Sequence, residues 1–141
     1  MTIINEKNDF DKKIKNIIKL YEIGSFEDVI SRTKPLIKKY PDIVDLYNIL
    51  ALSYNGLNKT EEAIKLLDDV LKKDPNNIHV LNNLGMINSG ISSFEPSKIF
   101  LEKALKIKPD FFQAANNLAN LFLKLNKAEE AIKLLKKFVN R

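Results

Sequence analysis

The chain has 141 residues, 45% of them apolar and 29% charged, with a formal net charge of +5 and no cysteine. Without thiols it can build neither a disulfide framework nor a thiolate metal site, which is compatible with a reducing compartment. No uninterrupted apolar run approaches the roughly 20 residues of a membrane span, and residues 1–9 lack the apolar core of a signal peptide. On these last two features rests the expectation of a cytoplasmic location.

Residues 1–9 read as a polar extension. Apolar residues at spacings of three and four then predict paired amphipathic helices over 10–22 and 26–39, 43–56 and 60–72, 77–90 and 94–107, and 111–124 and 128–139. In the first pair, Pro35 falls inside the second helix, where an interior proline costs about 3 kcal/mol or kinks the axis. In the second pair, Leu46, Tyr47, Leu50, Ala51 and Tyr54 mark one apolar face, and Gly56 is expected to close that helix in the left-handed conformation. Thr60 opens its partner, with Glu61 and Glu62 in the first turn, where negative charge suits the helix dipole. Asp74-Pro75-Asn76 ends the pair, because proline rejects a helical predecessor.

These pairs are repeats. Pro41, Pro75 and Pro109 stand 34 residues apart, and Glu61-Glu62-Ala63-Ile64-Lys65-Leu66-Leu67 returns letter for letter as Glu129-Glu130-Ala131-Ile132-Lys133-Leu134-Leu135. Leu81-Asn82-Asn83-Leu84-Gly85 is echoed by Ala115-Asn116-Asn117-Leu118-Ala119. A fixed period of this size signals a solenoid of one repeated unit, with repeats over 10–43, 44–77, 78–111 and 112–141. Ala51, Gly85 and Ala119 share one place in successive first helices, and Ala63, Ser97 and Ala131 share one in the second helices. Short side chains there let two backbones approach closely.

The pattern resembles a tetratricopeptide repeat (TPR) array of four tandem units, the first degenerate. Unit two matches the family with Tyr47, Leu50, Ala51, Tyr54, Ala63, Leu67, Val70 and Pro75. Leu84, Gly85, Ala104 and Pro109 match in unit three, and Leu118, Ala119, Phe122, Ala131 and Leu135 in unit four. In unit one, Asn16 replaces the family's leucine, and Ile17 and Val29 fill the small positions, so its helices should stand further apart. The resemblance implies an all-α fold, a right-handed superhelical solenoid of stacked antiparallel helix hairpins.

Little in the chain points to catalysis. His79 is the single histidine, and no phosphate loop or metal-binding helix motif can be assembled, so a non-enzyme without cofactor or metal is expected. The acids precede lysines by four residues at Glu61–Lys65, Asp68–Lys72, Asp69–Lys73, Glu102–Lys106 and Glu129–Lys133, a pattern of solvated, charge-paired helix faces. Lysines interleaved with acids, without alternating aromatic residues, argue against a nucleic-acid platform. Lys133, Lys136 and Lys137 form the one locally basic patch.

By the resemblance, first helices line a concave groove. Its columns hold Asn48, Asn82 and Asn116, then Asn83 and Asn117, then Ile18, Leu52, Met86 and Asn120. Each asparagine amide offers a donor and an acceptor, so a row of them can bracket the peptide bonds of an extended chain. Such an array resembles the repeat region of O-linked N-acetylglucosamine transferases; it also suits asparagines that bond within the protein. Positions that bind acidic chaperone tails in some family members hold Asn48, Leu52, Asn83, Gln113 and Asn117, or Ile14, Ile18, Ile49, His79 and Asn83, depending on register. Neither set has a cation, so such tails are not expected.

The last helix carries Ala131, Ile132, Leu134, Leu135, Phe138 and Val139, an apolar surface with no capping helix before Arg141. The expectation is that the solenoid continues, in a longer polypeptide or by self-association through this helix. The function expected is a non-catalytic scaffold binding an extended peptide or partner helix in the groove. The alternatives are an N-terminal repeat region of a larger enzyme, such as a glycosyltransferase or sulfotransferase, and, more weakly, a nucleic-acid adaptor.

Overall fold

The structure, a computed structural model, describes residues 2–139; Met1, at the start of the expected extension, and Asn140 and Arg141, at the end of the last repeat, lie outside them. Among the described residues there are eight α-helices and no strand: α1 (Ile3–Glu22), α2 (Phe26–Lys39), α3 (Val44–Gly56), α4 (Thr60–Lys73), α5 (Ile78–Gly90), α6 (Phe94–Ile107), α7 (Phe112–Lys124) and α8 (Ala128–Val139). None is long and apolar enough to cross a membrane.

Seven helices lie within a residue or two of expectation. The exception is α1, which starts at Ile3 rather than at residue 10. Thr2 caps it, its hydroxyl accepting from the Asn5 amide at 3.4 Å, and Glu6 places negative charge in the first turn. Local capping thus extends the helix through a stretch whose Ile3 and Ile4 are 84% and 72% exposed.

The turns between paired helices correct one expectation. Gly56 is the last helical residue of α3, and the left-handed residue stands two positions later, at Asn58 with φ 62°. The same place is taken by Gly24 (φ 77°), Ser92 (63°) and Asn126 (59°). In each turn the next amide reaches back five residues: Ser25 to Leu20, Lys59 to Tyr54, Ser93 to Asn88 and Lys127 to Phe122. This is the Schellman arrangement, which satisfies carbonyls at the helix end. Gly56 answers a packing need instead, since a Cβ there would stand 2.5 Å from the Phe26 ring.

The chain divides into two compact units, one ending at Leu66 and the other beginning at Leu67. In the first, Ile17, Val29, Leu36 and Leu46 form one core cluster, with Phe10, Ile14, Tyr21, Tyr40 and Ile43 against it. Helices α1 and α2 run close over less of their length than α5 and α6 do. Helix α2 continues across Pro35 to Lys39. Thr33 and Ser53 are fully buried, and neither hydroxyl has a hydrogen-bond partner.

In the second unit, Leu81, Leu101, Ala104, Phe111, Ala114, Leu118 and Leu121 form one core cluster. Leu71 from the end of α4 and Leu134 from α8 pack against it. The small residues do what their spacing implied. A Cβ on Gly85 would meet Leu101 Cγ at 2.5 Å, and the buried Ser97 hydroxyl donates to the Gly85 carbonyl at 2.6 Å. On α8, Ala131 is buried, Phe138 meets the Phe112 ring at 5.8 Å, and Ile132 and Val139 are exposed.

None of the five expected ion pairs reaches salt-bridge distance among the described residues. Pairs form instead at Asp9–Lys13 (3.2 Å), Asp69–Lys72 (3.6 Å) and Lys98–Glu102 (4.0 Å). Exposed charges of this kind gain little from any single geometry, so spacing alone does not decide which pairs close.

Candidate functional site

Helices α5 and α7 are neighbours in the second unit, joined at three levels. At the N-terminal end, Asn77 caps α5 by accepting from the His79 and Val80 amides, both at 3.1 Å. Asn77 is itself held by Asp74, to which its amide donates at 3.0 Å. The His79 ring then stands edge-on to Phe111, centroids 5.3 Å apart, just before α7 begins. At mid-length, the Asn117 side-chain amide donates to the Asn82 oxygen at 2.8 Å. At the C-terminal end, the Lys124 ammonium donates to the Ser89 carbonyl at 3.3 Å and to its hydroxyl at 3.1 Å.

Between the second and third levels lies an open depression of ≈ 330 Å³, lined by Met86, Ser89, Asn117, Asn120, Leu123 and Lys124. Its apolar walls are Met86 and Leu123, which are 38% and 54% exposed. The Asn117–Asn82 bond uses one amide donor and one oxygen, leaving the Asn117 oxygen and the Asn82 amide able to serve a guest. Asn116 and Asn120 are exposed.

The expected groove residues separate accordingly. Met86, Asn117 and Asn120 meet in the depression, and Asn82 joins them through Asn117. Asn116 is one residue away on α7, and Asn83 is half-buried on α5. Asn48 and Leu52 belong to α3 in the first unit, where Leu52 is half-buried. Asn48 is only 8% exposed, so its amide is a poor candidate for contact with a guest.

Three residues of the depression were not anticipated: Ser89, Leu123 and Lys124. Ser89 and Leu123 each lie three residues, about one helical turn, beyond a column residue, Met86 and Asn120. Lys124 departs from its own column, which reads Glu22, Gly56, Gly90, Lys124. That break in the repeat was the available signal. Among the described residues, no group of three or more histidine, cysteine or acidic side chains is placed to hold a metal ion.

Paired helices with small residues at their crossings, Schellman turns every 34 residues and proline between pairs define a helical-repeat protein of the TPR class. The chain belongs to the TPR family: residues 11–137 match the family described as the Psidin N-terminal TPR repeats region. Solved structures share the all-α solenoid fold class. TTC0263, a TPR protein of Thermus thermophilus, superposes with a TM-score of 0.81 at 18% identity, covering 88% of this chain and 69% of that one. MamA of Desulfovibrio magneticus RS-1 gives 0.74 at 17% identity, covering 96% and 76%. A chain in the structure of Naa15/Naa10 bound to HypK-THB gives 0.75 at 22% identity, covering 90% of this chain and 20% of that one. No curated protein matches by sequence.

Proposed function

We propose that this chain is a non-catalytic scaffold for protein partners, and that the α5/α7 face takes an extended peptide. The observation that carries the reading is the Asn117–Asn82 bond beside the depression. It fixes two amides in place while leaving a donor and an acceptor unspent, so ordering them costs a guest little. Asn116 and Asn120 add exposed amides along the same helix, and Met86 and Leu123 offer an apolar seat for one side chain. Backbone amides of an extended guest recur at a regular spacing whatever its sequence, and side-chain amides complement them. The TPR neighbours support the scaffold role; one of them was solved as a complex, Naa15/Naa10 with HypK-THB. The proposal keeps the cytoplasmic location expected from the sequence.

The test is a peptide-display selection on the intact chain, repeated on a variant with Asn82, Asn83, Asn116 and Asn117 changed to alanine. The expected result is that selected peptides lose binding to the variant while its helical circular dichroism is kept. Peptides that bind both proteins equally would remove the α5/α7 face from the reading.

A second reading places these repeats in the N-terminal region of a larger enzyme. It is supported by the description of the matching family as an N-terminal region, and by the fold recurring as 20% of a longer chain. A catalytic domain encoded directly downstream in the source gene would favour it.

A further inference from the structure

We infer that the α5/α7 depression selects a guest carrying an acidic side chain next to an apolar one, with Lys124 as the group that reads the acid. This rests on the peptide-binding reading above and deepens it. Of the residues lining the depression, Lys124 is the single charged one; the others are Met86, Ser89, Asn117, Asn120 and Leu123. Its ammonium has three donors. Two go to the carbonyl and hydroxyl of Ser89, which are neutral, and no carboxylate among the described residues pairs with it.

The amine is therefore held at a defined place with one donor and its full charge left over. A carboxylate that docks there meets a positioned cation and gains a charge-assisted hydrogen bond. Leu123 and Met86 stand beside it, so an apolar side chain of the same guest finds a seat next to the ion pair. The net charge of +5 favours approach of an acidic partner over a basic one.

Lys124 is also foreign to the repeat. Its counterparts are Glu22, Gly56 and Gly90, so the architecture of the hairpin does not require a lysine there. It lies outside both sets of groove positions that would hold the acidic tail of a chaperone, and it acts as a lone cation. The group it reads is an aspartate or glutamate side chain within an extended segment.

The experiment is a selection on the full chain from a display library of internal segments, which present no free C-terminal carboxylate. Wild type should enrich aspartate or glutamate at one fixed offset from an apolar residue. Lys124→Gln, which keeps a donor for Ser89, should still select peptides but lose the acidic preference. Lys124→Glu should replace it with lysine or arginine. For one selected peptide, changing the acid to its amide should weaken binding to wild type about threefold to tenfold and leave binding to Lys124→Gln unchanged. The inference is overturned if wild type enriches no acid, or if all three proteins select one profile. It is also overturned if acids matter only as a free C-terminal carboxylate in a parallel synthetic set. Self-association in analytical ultracentrifugation that Lys124→Glu abolishes would assign the face to a second copy and overturn it too. Failure of the peptide reading itself looks different: wild type then selects no peptide at all.

Discussion

Ser97 donates its hydroxyl to the Gly85 carbonyl across 2.6 Å, tying α6 to α5 where Leu101 lies against the glycine. Gly85 has no room for a Cβ, because Leu101 is fully buried and cannot swing away. Gly85→Ala gains up to about 1 kcal/mol in helix propensity but forces overpacking that costs about 1–3 kcal/mol. We expect a net loss of stability in urea denaturation. Combining Gly85→Ala with Leu101→Val should recover part of it, since the valine retreats from the added methyl.

Four turns hold a left-handed residue, and the four positions are not equally suited to it. Gly24 adopts φ 77° without a side-chain clash, whereas Ser92 holds φ 63° against its own Cβ. Ser92→Gly should raise stability by up to about 1 kcal/mol, and Gly24→Ala should lower it by about 1 kcal/mol. Thermal melts of the two variants check both signs. Equal and opposite effects are not required, because glycine also loosens the unfolded chain.

Thr33 and Ser53 bury hydroxyls that find no partner. At the place of Thr33, other repeats carry Leu67 and Leu101. Thr33→Val keeps the shape and removes the orphan group, so it should stabilise the protein by roughly 1 kcal/mol. Ser53→Ala should act in the same direction. A loss of stability in the valine variant would show that the hydroxyl is satisfied in solution.

Asp68, on α4, has its pKa raised, first by the desolvation that burial brings and then by the neighbouring Asp69, while Lys72 pulls it down. Folding therefore strengthens proton binding at this carboxyl. Its effect on stability is most favourable below the ordinary carboxylate range and is lost as pH rises through the raised value. Asp68→Asn should accordingly raise the melting temperature near neutral pH and change it little near pH 3, where the native carboxyl is already protonated. A variant that melts lower at neutral pH would show that the attraction of Lys72 outweighs burial.

Most of the architecture was legible because one period is written several times. The recurring prolines, the matched small residues and the identical heptapeptide each locate the same hairpin, and Gly85 with Ser97 meet as their spacing implied. The start of α1 was not legible, since Ile3 and Ile4 are largely exposed and the start is marked only locally, by the Thr2 cap and Glu6 in the first turn. Glycine, the usual signal for the left-handed position, points to Gly56, whereas asparagine and serine hold that place in three of the turns. The site was legible as asparagine columns, with bonding inside the protein as one of their two readings, but not as this particular pair. Asn82 pairs with Asn117, across the columns, because neighbouring helices of the second unit are offset in space, and Asn48 is buried. Lys124 breaks its column, and its ammonium reaches a residue 35 positions away.

The most direct measurement is a titration of an isotope-labelled chain with a selected peptide, followed by NMR through the asparagine side-chain amides and the backbone. Peptide on the α5/α7 face predicts that the side-chain amides of Asn82, Asn116, Asn117 and Asn120 shift together, with the Met86 methyl, while the exposed faces of α6 and α8 stay still. Shifts concentrated on α6 or α8, with those four amides unmoved, would contradict it.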